Sequence, residues 1–308
     1  MNQISIFENT CPEHERAIFI HGVAPEIRDI ILHLGKPTGI AKKLGTKYTK
    51  LKEWPTGRKP ISLNELTRLL DFCQTEFKET MMTKINQREI LISTKYSPHK
   101  IKLPKNTSND LSYAIGLILG DGYIAGDSLN ARGNWTISVY FDNNEHREIY
   151  NNVIKNEFGL ICKNIPHKPN CPQSFICSRA LHYIFRHYYK MHNGYKANII
   201  EIPQRILYSE KERLPDLIQG LFDSDGTITK GDIKYSTVSK KMAEQVQQEL
   251  QKMKITSVIT IWIKAKKYKP LYTVLIKSKS RGLFAKKIGF RHPLKKLALD
   301  KLLDSPLV

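Results

Sequence analysis

One segment of this chain occurs twice. Ala114-Ile-Gly-Leu-Ile-Leu-Gly-Asp-Gly122 and Ile218-Gln-Gly-Leu-Phe-Asp-Ser-Asp-Gly226 align without a gap, so that Gly116 matches Gly220, Leu117 matches Leu221, Asp121 matches Asp225 and Gly122 matches Gly226. Every pair lies 104 residues apart, and Ile124 and Ile228 keep the register. Solenoid units run to about 20–50 residues, so a period this long means a duplicated domain. The 308 residues leave room for two or three domains, each with its own core.

Each copy reads as a helix. Asn109 or Asp110 can cap the first, and Pro215 suits the start of the second. Gly116 with Gly120, and Gly220 with Ser224, set small residues four apart on one face, which lets two helix backbones approach closely. A face-to-face pair then brings Asp121 and Asp225 together at its C-terminal end. Two like charges held close are unfavourable unless a cation joins them. Magnesium suits such oxygen ligands, with phosphate and water completing its shell, and can activate water and steady a leaving oxygen. A lone LxxDG would be only a helix end and a turn; two in register make the acid pair the first candidate site.

Beyond each copy the chain alternates as strands do. Trp135, Ile137, Val139 and Phe141 fall on one face, with Thr136, Ser138, Tyr140 and Asp142 on the other. Asp232–Val238, Val258–Lys264 and Leu271–Lys277 continue the pattern, with Thr260, Trp262 and Lys264 opposite the isoleucines. Glu148–Phe158 and Met242–Met253 are amphipathic helices. A sheet with one polar face can read base edges in the major groove.

The partner is indicated by charge. Forty-nine Lys and Arg against 29 Asp and Glu give a net +20, which points to a polyanion, nucleic acid first. The apolar share of 41% is that of a globular protein; no stretch is long and apolar enough for a bilayer, and the start lacks a secretion signal. A cytoplasmic, nucleoid-associated location is the expectation. Cys162, His167, Cys171 and Cys177 have neither CxxC nor finger spacing, so the five cysteines read as isolated thiols in a reducing compartment.

The first hundred residues are of another kind. Ile27, Ile30, Ile31 and Leu34 recur at helical spacing; Gly39–Leu44 makes a second short helix ended by Gly45, and Thr46–Trp54 a basic third. Ser62 caps a fourth, with Leu63, Leu66, Leu69 and Leu70 inside. Short helix, glycine turn and basic helix is the order of a helix-turn-helix. IAKKLG before a basic helix resembles the repressor-like members of that class, which implies that Thr46, Lys47, Lys50 and Lys52, with Thr49, face DNA. A plain helical bundle with a solvated lysine face is the competing reading. Gln87–Asp110, rich in turn formers, reads as a connector.

The paired motifs resemble the two signature helices of single-chain LAGLIDADG homing endonucleases, from about Lys102 to the C-terminus. Leu119 departs from the family word, which has an acid there; Asp223 keeps it. The resemblance implies an α+β fold: two pseudo-symmetric αββαββα halves, 96–210 and 211–308, forming a DNA-binding saddle, after a small all-α helix-turn-helix-like domain and linker in 1–95. It implies a monomeric, metal-dependent endodeoxyribonuclease, cutting both strands of a double-stranded target to leave 3′ overhangs. Asp121 and Asp225 would hold Mg2+, for which Mn2+ substitutes, with Gly120 and Ser224 beside them.

Further residues carry over by analogy. Asn143 and Arg147 fall where the family surrounds the cleaved phosphates, and Ser239 with Lys240 or Lys241 at the matching point. Lys196, 75 residues after Asp121, and Lys295 or Lys296, 70 or 71 after Asp225, are the candidate site lysines. Thr136, Ser138, Tyr140, Lys234, Ser236 and Lys277 would face DNA from the strands, and Lys264, Lys266, Lys267 and Lys269 would touch phosphates. Met1 and the ending Ser305-Pro-Leu-Val308 lack the residues of a splicing element, which favours an intron-encoded or free-standing enzyme. LPKNTSNDLSYAIGLILGDG resembles archaeal members most. The rival readings are an intron RNA maturase and a non-cleaving DNA-binding regulator on the same scaffold.

Overall fold

A computed structural model describes residue 7 and residues 18–94, 97–126, 135–168, 171–229, 231–263 and 269–304. It divides into two compact units, one of residues 1–106 with 157–159 and 178–188, the other of residues 107–156, 160–177 and 189–308.

The first unit runs β1 (Ile18–His21), α1 (Ala24–Leu34), α2 (Pro37–Leu44), α3 (Tyr48–Glu53), β2 (Ile61–Ser62), α4 (Leu63–Asp71), α5 (Thr75–Gln87), β3 (Leu91–Thr94) and β4 (Ser97–Lys102). Gly45 ends α2 in the left-handed conformation, φ +65°. The basic helix α3 is two residues shorter at its start than its composition suggested, because Lys47 is extended. Ser62 Oγ accepts the Glu65 N–H at the start of α4, and the four leucines are buried. The expectation of an all-α unit is corrected by an antiparallel sheet in the order β2-β1-β3-β4. Its strands are too short to display an alternation, and β4, which carries Pro98, lies at the edge, where a missing N–H is tolerated. The supposed connector therefore holds two strands, β3 and β4.

The second unit contains both repeats. It runs α6 (Asn109–Asp121), β5 (Gly122–Ala125), β6 (Thr136–Tyr140), α7 (Asn144–Phe158), β7 (Lys163–Lys168) and β8 (Cys171–Cys177). After α8 (Arg179–Tyr183), which belongs to the first unit, come α9 (Leu214–Asp225), β9 (Gly226–Thr229), β10 (Asp232–Thr237), α10 (Lys240–Lys252), β11 (Ser257–Trp262), β12 (Leu271–Ile276), α11 (Arg281–Lys287) and α12 (Pro293–Asp304). The two sheets have the same plan, β5-β6-β8-β7 and β9-β10-β12-β11. Each half is thus a helix, a hairpin, a helix and a second hairpin. Ser108, not Asn109 or Asp110, caps α6, its Oγ accepting the Leu111 N–H at 2.9 Å.

Helices α6 and α9 pack backbone to backbone. A Cβ on Gly116 would stand 2.3 Å from the Leu217 carbonyl oxygen, and one on Gly220 2.2 Å from that of Tyr113. Those contacts are the same contact twice, 104 residues apart, so the pseudo-twofold axis runs between the glycines. Gly122 and Gly226 are required for a different reason: the turn into each first strand presses them against Ile118 and Phe222.

Candidate active site and nucleic-acid face

The turn from α6 into β5 and from α9 into β9 leaves Asp121 and Asp225 at the two helix ends, beside the axis. Among the described residues no hydrogen-bond donor is paired with either carboxylate. Loss of hydration and then the Asp121 charge raise Asp225 from the ordinary carboxylate range to about 7, against the pull of Lys196 and Lys295. Asp121, open to solvent on one side, is also raised, first by lost hydration, while Lys295 and then Lys196 oppose the rise and Asp142 adds to it. Two under-compensated oxygen ligands on one axis fit a divalent cation.

The lysines obey the repeat. Lys196, buried, donates to the carbonyls of Ile118 (2.7 Å), Leu119 (2.5 Å) and Gly120 (3.1 Å). Lys295 donates to those of Phe222 (3.2 Å), Asp223 (2.6 Å) and Ser224 (3.1 Å). Each ammonium therefore sits on the negative end of a signature helix, where a cation is favoured. Burial lowers Lys196 to about 8 and also lowers Lys295. Each lysine rests on its own half's helix, yet of the two axial acids it is coupled most strongly to the other half's: Lys196 to Asp225, and Lys295 to Asp121. Lys296, one residue on, is exposed, and only Lys295 reaches the helix end.

Other candidates are not brought to the acids. Ser239 is buried and caps α10, donating to Ile200 O at 2.7 Å and accepting the Met242 N–H at 3.2 Å, so both its hydrogen-bonding roles are structural. Asn143 caps α7 in the same way through His146 N–H, at 2.8 Å. Arg147 turns to its neighbour Glu148. Lys240 and Lys241 lie on α10, paired with Glu244 and Glu201. The carbonyls of Gly120 and Ser224 are engaged by the two lysines.

The sheets differ in how they expose their polar faces. On β10, Ile233, Tyr235 and Thr237 are buried and Lys234 and Ser236 half-exposed, in register with Thr273 and Leu275 on β12. Thr260 and Trp262 share that open face through their pairing with Thr273 and Leu271, and Lys277 is exposed just beyond β12. On β6 the expectation fails for Thr136 and Ser138, which are buried. Ser138 lies between Tyr123 and Phe175 in the ladder, and larger neighbours on the same face cover it. Tyr140 stays half-exposed, and exposed Tyr123 is the residue there that alternation within β6 alone does not reveal. Lys269 lies over the Tyr195 ring at 5.5 Å; Lys264, Lys266 and Lys267 fall outside the described residues.

Sequence reasoning also missed a polar cluster. Asp223, the family acid kept in the second repeat, is 2% exposed and accepts Tyr113 O–H (2.7 Å), Arg291 N–H (2.9 Å) and His292 N–H (3.0 Å). Tyr113 gives its proton to Asp223, so His146 Nε2 donates to the Tyr113 oxygen at 3.0 Å. His292 Nε2 lies 2.8 Å from both Asp142 oxygens. Asp142, His146 and His292 bring potential ligand atoms within 4.8 Å of one another, but the nitrogen of His292 that faces Asp142 is occupied by this bond and the other accepts the Lys295 N–H at 3.3 Å.

In the first unit, Lys50 is paired with Glu65 at 2.7 Å and lies 5.5 Å over Trp54, while Thr46 also points to Glu65. Lys52 lies over the Tyr48 ring, and Lys47 and Thr49 are exposed.

Residues 216–289 match the family model of the LAGLIDADG-like domain. It is 25% identical over 232 residues to a DNA polymerase of Thermococcus hydrothermalis, covering 72% of this chain and 13% of that protein. It is 27% identical over 214 residues to a probable translation initiation factor IF-2 of Methanocaldococcus jannaschii, covering 67% and 17%. The chain thus spans less than a fifth of the length of these curated relatives. Among solved structures, I-DmoI in complex with DNA and Mn has 17% identity and TM-score 0.46, over 60% of this chain and 98% of that one. I-WcaI bound to its DNA recognition sequence has 18% and 0.44, over 63% and 88%, and full-length DUF199/WhiA from Thermatoga maritima 15% and 0.43, over 67% and 63%.

Proposed function

We propose that this protein is a site-specific DNA endonuclease that hydrolyses both strands of a double-stranded target and leaves 3′ overhangs, with Asp121 and Asp225 as its metal-binding acids. The observation that carries the reading is the acid pair itself at the ends of two backbone-packed helices, both carboxyls raised first by burial and Asp225 also by the Asp121 charge. A carboxylate pair costs stability when nothing uses it, so its presence speaks against a regulator that has lost cutting.

Asp121 and Asp225 would hold Mg2+, which lowers the pKa of water and offsets charge on the cleaved phosphate. Lys196 and Lys295, each held on three carbonyls, would offset the same charge without moving. Lys234, Ser236 and Thr260 would meet base edges, while Lys269 and Lys277 would meet phosphates and fix position rather than sequence. The first unit would lengthen the footprint through Lys47, Lys52 and Thr49. The two curated relatives carry names of unrelated activities and are matched over 13% and 17% of their lengths, which supports a shared segment with an activity of its own.

The decisive measurement is cleavage of supercoiled plasmid carrying the intronless host locus, or a randomised-insert library, with Mg2+ or Mn2+. Linear product from the wild type and none from Asp121→Asn is the expected result; tight binding without cutting under either metal would leave the regulator or the maturase. In the same assay Lys295→Met is expected to lose about 100-fold, as for one lost oxyanion donor, and Lys296→Met nothing measurable.

A further inference from the structure

The two acid–lysine centres are not equivalent, although their helices are. Asn143 and Ser239 cap corresponding helices, so Asp142 corresponds to Val238 and His146 to Met242. Lys295 and Lys196 correspond likewise, which pairs His292 with Asn193. In the second half His292 joins two elements. Its Nδ1 accepts the N–H of Lys295 in the first turn of α12, at 3.3 Å, and its Nε2 meets the Asp142 carboxylate on the loop before α7. Its own N–H is fixed by Asp223 of α9. The first half has no such brace: Val238 has no polar side chain to offer, and the Asn193 oxygen is buried without a partner.

We propose that His292 is a positioning residue for Lys295, and that its bond to Asp142, which has no counterpart beside Lys196, makes the Lys295 and Lys196 sides of the site act on the two DNA strands at unequal rates. This rests on the endonuclease reading above. Because Nδ1 accepts the Lys295 N–H, the ring proton lies on Nε2 and faces the Asp142 carboxylate, and the Asn143 amide, whose nitrogen is 3.2 Å from Nε2, donates to Asp142 Oδ1 at 2.9 Å instead. That assignment suits a brace and opposes a metal ligand, which needs an N–H on the nitrogen away from the ion. His146 backs the pair, its ring 4.6 Å from that of His292.

The test tracks strand choice on a supercoiled target plasmid. His292→Ala is expected to accumulate nicked circles at least tenfold over wild type, with the nick in the strand left by Lys295→Met and not in the one left by Lys196→Met. His292→Gln, whose side-chain amide can still reach the Asp142 carboxylate, should retain more linear product than His292→Ala. Equal slowing of both strands, or no change, overturns the proposal. A wild type that cuts neither strand sinks the endonuclease reading instead. A second measurement then decides the positioning role, using the full chain labelled with 13C at lysine Cε. His292→Ala is expected to shift the Lys295 resonance and leave that of Lys196; unmoved Lys295, with the melting temperature unchanged, overturns it.

Discussion

Without metal at pH 7, Asp225→Asn is expected to melt higher than the wild type while losing cleavage altogether. The wild-type carboxyl is raised to about 7, so the folded state keeps a proton that the unfolded chain sheds near pH 4. Stability therefore falls as pH rises from about 4 to 7, at up to about 1.4 kcal/mol per unit. Asn removes that loss, and with solvent screening the gain is roughly 1–3 kcal/mol at pH 7, or about 2–4 °C per kcal/mol. Below about pH 4 the two proteins should converge. Magnesium should raise the wild type and leave the variant nearly unmoved, since an ion that binds only the folded state stabilises it by mass action. Differential scanning fluorimetry from pH 4 to 8, with and without Mg2+, checks all three. An Asn variant that melts lower at pH 7 without metal would mean that the acids do not strain each other. Cleavage should become undetectable in the plasmid assay, a fall of about 1,000-fold or more, because several kcal/mol of charge stabilisation vanish with the site.

Gly116→Ala is expected to destabilise the second unit by about 3 kcal/mol, through overpacking against an unyielding neighbour. The new methyl would lie 2.3 Å from the Leu217 carbonyl and 2.9 Å from Gly220 Cα, and both are backbone. The same change at Gly282 in α11, where nothing lies within 4 Å, is expected to stabilise by about 0.5–1 kcal/mol from helix propensity. Urea unfolding of the two variants reads the difference in sign. A neutral Gly116→Ala would mean that the helices can separate without loss.

Much of the site was legible because a duplicated motif cross-checks itself. Asp121 and Asp225 were singled out by the matched spacing of the repeat, and Lys196 by analogy with the family, its distance from Asp121 nearly repeating that of Lys295 from Asp225. Lys295 and Lys296 could not be separated by counting, since the choice depends on which face of α12 meets α9. The polar face of β6 was misjudged because alternation reports the period of a strand, not what its neighbours place over it; Tyr123 and Phe175 decide that. The cluster of Tyr113, Asp142, His146, Asp223 and His292 was hidden because its members are up to 179 residues apart and belong to both halves. The strands of the first unit escaped for want of length.

The axis holds one more asymmetry. A Cβ on Gly120 would lie 2.0 Å from Ser224 Oγ, so only one of the two helices has room for a side chain there. Two copies of the first half could meet glycine to glycine, whereas two copies of the second would drive serine into serine. The fusion is therefore a one-way commitment: the second half has given up the capacity to pair with its own kind, and any separation of the halves would leave it dependent on a partner with a bare backbone at that point.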